Sequence, residues 1–219
     1  MTLISPHDTA LGPNVTVVIP AGRGGSQSFW FAKRLFDIGF SLLLLPLVGA
    51  VCLALVLLNP ARNPGPLFYR QPRMGKDCRA FMAIKFRTMR CGTVRRGPND
   101  PVEKDRITPL GRFLRKTRLD ELPQIINVLK GDMSLIGPRP DYFHHARSYL
   151  RQIPEYRARH AVRPGISGLA QVELGYIQGI SQTRDKALID LRYIQTASFW
   201  LDVQIFWATI RTVLRGGGS

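Results

Sequence analysis

Asp120 and Glu121 stand side by side in Leu119-Asp120-Glu121-Leu122-Pro123-Gln124, and cations gather around them along the chain. Carboxylates can act as nucleophile, metal ligand, general base or general acid. Consecutive residues of a helix diverge by about 100°, so these two would not face each other across one bond as a glycosidase pair does. Different roles suit them better: one as nucleophile or metal ligand, the other as base or positioning group. The cations fall in Lys85-Phe86-Arg87, in Arg115 to Arg118, in Gly137-Pro138-Arg139-Pro140 and in Arg163-Pro164-Gly165. Prolines on both sides of Arg139 restrict its backbone, so its guanidinium can grip a phosphate at a smaller entropic cost. A diphosphate substrate needs such groups. A plainer reading uses the same residues: acids in a first helical turn commonly meet the helix dipole, and an Arg in a rigid turn commonly meets a core carboxylate. Spacing alone leaves both open.

Stepping outward along the chain, a helix is expected from about Asp120 to Lys130, ending at Gly131, with Ile125, Ile126, Val128 and Leu129 inward and Pro123 tolerated in its first turn. Before it, Thr108-Pro109 reads as an N-cap and first helical residue, leading into Leu110, Phe113 and Leu114 on one face. Leu67 to Arg70 and Phe81 to Phe86 read as short strands around the turn Gly75-Lys76-Asp77. Cys91 to Lys104, rich in Gly and Pro, reads as a mobile loop. Ser148 to His160 and Thr183 to Thr196 look helical. Phe199 to Leu214 is helical and amphipathic, suited either to a membrane surface or to the domain's own core. The adjacent pair His144 and His145 has no further ligands in pattern and reads as surface or structural.

Ile38 to Leu58 carries no charged residue, and as a straight helix would reach roughly 30 Å, the thickness of a bilayer's hydrocarbon. Length therefore permits a crossing. Pro46 argues for a bend in mid-run, and basic residues flank the run on both sides: Lys33 and Arg34 before it, Arg62, Arg70, Arg73 and Lys76 after it. Both flanks then belong on the cytoplasmic side, which predicts a re-entrant hairpin broken at Pro46, with Ser41 or neighbouring protein taking up the freed carbonyls. A single kinked span is the competing topology.

Of 219 residues, 31 are Lys or Arg and 15 are Asp or Glu, a formal charge of +16 that suits contact with phosphates on nucleic acid, lipid or substrate. The hydrophobic content of 45% excludes a disordered tail. Cys52, Cys78 and Cys91 form neither a disulfide framework nor a zinc pattern, which fits a reducing compartment. The first residues lack the n-region, h-region and cleavage site of a signal peptide. The expected division is a flexible leader at 1–28, a membrane helix at 29–60, a cytosolic membrane-associated catalytic domain at 61–214 and a tail at 215–219. The fold class expected is α+β and mainly helical: a re-entrant membrane helix hairpin plus a small cytosolic domain with short strands and amphipathic interfacial helices.

Four ordered blocks carry a resemblance: Lys85-Phe86-Arg87-Thr88-Met89; Leu119 to Gln124 with Asn127 to Ser134; Gly137-Pro138-Arg139-Pro140; and Arg163-Pro164-Gly165-Ile166-Ser167-Gly168. Together, from about Phe31 to Leu214, the chain resembles the bacterial sugar transferases, the monotopic phosphoglycosyl transferases that start exopolysaccharide and related glycans. The resemblance implies a Mg²⁺-dependent ping-pong reaction at the cytoplasmic face of a bacterial inner membrane. A carboxylate attacks the β-phosphate of a UDP-sugar, releases UMP, and passes the phosphosugar to undecaprenyl phosphate. Asp120 matches the nucleophile and would share the metal with substrate phosphates; Glu121 matches its partner, a base or a positioning group. Lys85, Arg118, Arg139 and Arg163 occupy motif positions expected to steady phosphates, and Asp190 matches a further carboxylate near the site. Where several relatives have Ser-Pro at the helix break, Leu45 precedes Pro46 here. The chain resembles the short form, without the extra membrane helices and domain of larger members.

An unmodified hexose is mildly favoured as the sugar, and a homo-oligomer is left open. Two other readings compete: a membrane-tethered basic nucleic-acid binder, or a non-catalytic protein of a polysaccharide complex. No nucleic-acid fold signature or base-stacking array is evident, so nucleic acid is not expected as a partner.

Overall fold

The computed structural model describes residues 24–90, 103–175 and 179–215, so most of the expected leader and tail and nearly all of the loop expected from Cys91 to Lys104 lie outside the described residues. The chain opens with a 36-residue helix α1 (Gln27–Arg62), whose N-cap Ser26 accepts a hydrogen bond from Phe29 N through its hydroxyl. An antiparallel hairpin follows, β1 (Phe68–Met74) on β2 (Ala80–Phe86), with Tyr69 opposite Lys85 and Arg73 opposite Phe81. Then come α2 (Pro109–Lys116), a 3₁₀ turn at Leu119–Glu121, α3 (Gln124–Lys130), β3 (Ser134–Ile136) and α4 (Phe143–Gln152). A 3₁₀ segment at Pro154–Ala161, β4 (Gly165–Ser167), α5 (Leu169–Leu174), α6 (Ile180–Thr196) and α7 (Phe199–Leu214) complete a mainly helical domain.

The hairpin and the α2 start form as expected: the Thr108 hydroxyl accepts from Gly111 N at 3.0 Å, and Pro109 opens the helix where its missing N–H costs nothing. Gly131, at φ 90°, ends α3 as a left-handed cap. Other expectations are corrected. Phe113 does not share the buried face with Leu114; it is 56% exposed. The helix expected from Asp120 begins instead at Gln124. Arg118 takes a left-handed φ of 59° and Pro123 brings no N–H, so Leu119–Glu121 closes as a separate 3₁₀ turn. Pro154 likewise splits the expected helix at 148–160 into the end of α4 and a 3₁₀ segment.

The helical run through Pro46 is one element rather than two separated legs, since a proline can bend a helix without ending it. Its buried residues Lys33, Asp37, Ser41, Val48, Leu55 and Asn59 recur at intervals of four or seven, a single stripe along the helix. Leu43, Leu53 and Leu57 point away and stay exposed, and only 17% of the most apolar stretch is buried. Both ends of α1 dock on the same domain. At the start, Lys33 Nζ meets Asp202 Oδ2 at 2.5 Å, and Asp37 accepts from Ser134 Oγ at 2.7 Å and Leu135 N at 3.2 Å. At the finish, Asn63 Nδ2 donates to Arg87 O at 2.8 Å, while the Arg87 guanidinium returns bonds to Asn63 Oδ1 and O. Leu55 packs there against Phe86 and Leu114. Ser41 does not serve Pro46 as expected: its Oγ is buried without a hydrogen-bond partner among the described residues.

A second core, of Ile136, Val162, Leu191, Ile194 and Ile205, holds the paired β3 and β4 against α6 and α7. A third, around Met74, Ala146, Ile153 and Tyr156, holds the hairpin's end against α4 and the 3₁₀ segment.

Candidate active site

The dyad sits where three segments meet: the 3₁₀ turn at Leu119–Glu121, strand β2, and the turn after β3. Asn127, fully within α3, ties the first two together. Its Oδ1 accepts from Ile84 N at 3.0 Å and its Nδ2 donates to Met82 O at 2.8 Å, gripping β2 just before Lys85. Lys85 then reaches Glu121, and the ammonium and carboxylate pair directly.

The third segment depends on β3 and β4 pairing in parallel, Ser134 opposite Gly165 and Ile136 opposite Ser167. Gly137 N donates to Ser167 O at 2.9 Å and Gly165 N to Pro138 O at 3.1 Å, so the two Pro-Gly motifs of the sequence lie against each other. A side chain at Gly165 would stand 2.1 Å from Gly137 N, which is why only glycine fits this crossing. Arg139 is thereby aimed at the dyad. Its guanidinium forks onto Glu121, Nη1 reaching Oε2 at 3.0 Å and Nη2 bonding Oε1, while Nη1 also donates to Ile166 O at 3.1 Å. Arg118 approaches Glu121 Oε2 at 3.8 Å.

The two carboxylates therefore live differently. Burial alone would raise the Glu121 carboxyl, but Arg139 and Lys85 outweigh it and hold it well below the usual range, firmly ionised. Asp120 is pushed up, first by burial and then by the charge of Glu121, with Lys85, Arg115 and Arg139 only partly offsetting them. Both are more than nine-tenths buried, yet Glu121 is fully engaged whereas Asp120 Oδ1 has no hydrogen-bond partner among the described residues. Burial also lowers the Lys85 ammonium, with Glu121 opposing and Arg139 and Arg73 reinforcing the shift.

Not every expected residue reaches this centre. Arg163 is exposed and donates Nε to Gly131 O at 2.9 Å, at the far end of α3 from the dyad. Asp190 is buried beneath the site rather than in it. Arg159, only 1% exposed, donates Nε to Asp190 Oδ2 at 2.7 Å, Nη1 to Asp141 Oδ2 at 2.6 Å and Nη2 to the Arg139 carbonyl at 2.7 Å. Asp190 thus acts through Arg159 on the backbone of Arg139. Lys186 and the Tyr156 hydroxyl complete the pairing of Asp141, whose carboxyl lies far below its ordinary value.

Two site residues, Arg73 and Arg159, escaped the sequence reading, and two more, Arg115 and Asn127, stood in its blocks without an assigned role. Arg73 donates to Pro140 O at 2.9 Å, bracing the Arg139 turn from the hairpin side, and had been read only as a flanking charge. Arg115 donates to Thr88 Oγ1 at 2.9 Å and places its charge near Asp120. Asn127 lay in one of the four blocks without a role, and Arg159 had no motif to mark it. Their signal was subtler: a polar residue among inward-facing aliphatics of α3, and an arginine in a segment with aromatic neighbours.

Among the described residues no group of three or more His, Cys, Asp or Glu could hold a metal ion. The buried, unbonded Oδ1 of Asp120 fits a hard cation that takes most of its ligands from phosphates and water. Glu121, gripped by Lys85 and Arg139, does not.

The profile of the bacterial sugar transferases matches residues 28–216, nearly the whole chain. The chain belongs to the bacterial sugar transferase family. An Aeromonas hydrophila UDP-N-acetylgalactosamine-undecaprenyl-phosphate N-acetylgalactosaminephosphotransferase is 45% identical over 195 residues, covering 89% of this chain and 46% of that protein. A Caulobacter vibrioides UDP-glucose:undecaprenyl-phosphate glucose-1-phosphate transferase is 38% identical over 96% of this chain and 81% of its own length. The exopolysaccharide production protein PSS of Rhizobium leguminosarum bv. phaseoli is 38% identical, with 84% of this chain and 96% of that protein covered. This bacterial sugar transferase thus spans less than half of its Aeromonas relative and nearly all of its Rhizobium one.

Proposed function

We propose that this sugar transferase moves a phosphosugar from a UDP-sugar to undecaprenyl phosphate through a covalent intermediate on Asp120. The observation that carries the reading is the asymmetry of the dyad: Glu121 is saturated by Lys85 and Arg139, while Asp120 Oδ1 stays buried and unengaged, within the field of the same cations. An Asp120 oxygen attacks the β-phosphorus, the bond from that phosphorus to the bridging oxygen breaks, and UMP departs with the bridging oxygen. An oxygen of undecaprenyl phosphate then attacks the same phosphorus and the Asp120 carboxylate leaves, giving the diphosphate-linked sugar. Its raised proton affinity makes Asp120 a better nucleophile once ionised.

Lys85 and Arg139 hold the transferring phosphate and offset its charge as the bonds exchange. Glu121, so strongly ionised, is too weak a base to take a proton from the acceptor; its role is to fix Lys85 and Arg139 beside Asp120. Mg²⁺, held by Asp120 and substrate phosphates, would further neutralise the diphosphate. The names of the relatives support the donor and acceptor classes, and a UDP-hexose is the donor we favour.

The same reading includes monotopic membrane association on the cytoplasmic face, with α1 re-entrant at Pro46. It is supported by the docking of both ends of α1 on one domain, which a helix crossing to the far side would forbid. Exposed Trp200, Trp207 and Phe206 on α7 support its lying in the interface. Purified protein given undecaprenyl phosphate, Mg²⁺ and a panel of UDP-sugars should release UMP with one of them. Release of UDP would mean ordinary glycosyl transfer and defeat the proposal.

A further inference from the structure

A recess opens between the first turns of α1 and the C-terminal end of α3, lined by Trp30, Lys33, Arg34, Lys76, Ser134 and Arg163 among others. Its one carboxylate, Asp37, is already bonded by Ser134 Oγ and Leu135 N, and Lys33 is paired with Asp202. Among the described residues Arg163 forms no ion pair, Lys76 meets Asp77 at 3.9 Å in an exposed pair, and Arg34 feels the charge of Asp37 less than that of Arg163. Arg34 spends both terminal nitrogens on the Val128 and Leu129 carbonyls. Arg163 gives only Nε, to Gly131, so its terminal nitrogens have no partner among the described residues. Arg34 and Arg163 both close on Gly131, Arg34 Nη2 standing 3.6 Å from where a Cβ there would lie and Arg163 bonding its carbonyl, so their like charges repel, an arrangement that an anion between them would relieve.

Two features say which anion. The seven residues of α3 separate this recess from the dyad by roughly 10 Å or more, too far for a phosphate held here to react at Asp120. Trp30 lines it, and the neighbouring Phe31 and Leu35 are 68% and 56% exposed, marking the border where the apolar part of α1 begins. We propose that the recess binds the phosphate group of an anionic membrane phospholipid and so fixes the start of α1 at the membrane surface. This rests on the membrane-associated reading above, and the site is separate from that of the lipid acceptor.

The test is co-flotation of the full chain with phosphatidylcholine vesicles, with and without phosphatidylglycerol. Arg163→Gln and Lys76→Gln are compared with Arg147→Gln, an exposed cation on α4. Affinity for the phosphatidylglycerol vesicles should fall about fivefold for each recess cation removed and stay unchanged for Arg147→Gln. Lys76→Gln guards against a folding defect in Arg163→Gln, because Lys76 caps no helix. Equal losses at all three positions would mean diffuse attraction and overturn the site. Displacement by inorganic phosphate at concentrations that leave ionic strength unchanged would make it a free-phosphate site and overturn the lipid assignment. Flotation without preference for phosphatidylglycerol sinks this inference alone, whereas failure to float with either vesicle sinks the membrane reading and this inference with it.

Discussion

A carboxylate can attack phosphorus only when it is ionised and not already bonded to cations on both oxygens, and the two members of this dyad divide along that line. Asp120→Asn should abolish the covalent phosphosugar adduct and lower turnover by at least about 10³-fold. Because the fold raises the proton affinity of Asp120, its charge is a burden on the folded state, so the Asn variant should melt no lower than the parent. Glu121→Gln should behave oppositely, costing about 3 kcal/mol by leaving Lys85 and Arg139 without their counter-charge. Paired calorimetry and single-turnover assays separate the two, and an Asp120→Asn variant that retained adduct formation would overturn the assignment of the nucleophile. The pH dependence follows from the same shifts. Adduct formation requires ionised Asp120, so it should fail on acidification at a midpoint above 3.8, the ordinary aspartate value. Stability from Glu121 has the opposite sense: its depressed value means the contribution is full above 4.5 and is lost progressively as pH falls below that toward the folded value. Acid should thus silence the enzyme before it releases the Glu121 cluster.

At the scale of elements, the site is a product of how short segments are tied, not of long ones. Asn127 carries two hydrogen bonds from α3 to the backbone of β2, at Met82 and Ile84, just before Lys85. Asn127→Ala leaves Ile84 N and Met82 O unpaired and should cost about 2 kcal/mol. It should also slow adduct formation more than it weakens donor binding, because Lys85 loses its fixed position against Glu121; equal effects on both would mean a merely structural role. The elements with local signatures were legible beforehand: Thr108-Pro109 capped α2, Gly131 ended α3, and α7 ran from Phe199 to Leu214 as its apolar periodicity required. β3 and β4, at three residues each, were too short to show a period, and their pairing joins residues about thirty positions apart.

For the molecule as a whole, α1 is the deciding element. It has the length and hydropathy to cross a bilayer, yet Lys33 and Asp37 near its start and Asn59 and Asn63 at its end are all buried on the domain. Single cysteines at Ser28→Cys and Pro64→Cys, in a background without Cys52, Cys78 and Cys91, should label from the same side in intact cells. Labelling from opposite sides would eliminate the re-entrant topology. The positive charge of +16 is likewise partitioned by the fold: some cations serve the dyad, others such as Arg87 and Arg159 are consumed inside, and the recess cations remain.

The sequence by itself determined the family, the adjacency of Asp120 and Glu121 and the presence of a long apolar helix, because each is written in contiguous residues whose chemistry or periodicity is local. It could not tell Arg163 from Arg139, two arginines beside prolines in similar motifs. Only the parallel pairing of β3 with β4 turns Arg139 onto Glu121, while Arg163 is left on the Gly131 carbonyl at the other end of α3. Nor could it place Asp190, whose partner Arg159 lies a helix away and whose effect on the site passes through a backbone carbonyl. Direction and burial of a side chain are set by contacts between distant segments, and those exist only once the chain has folded.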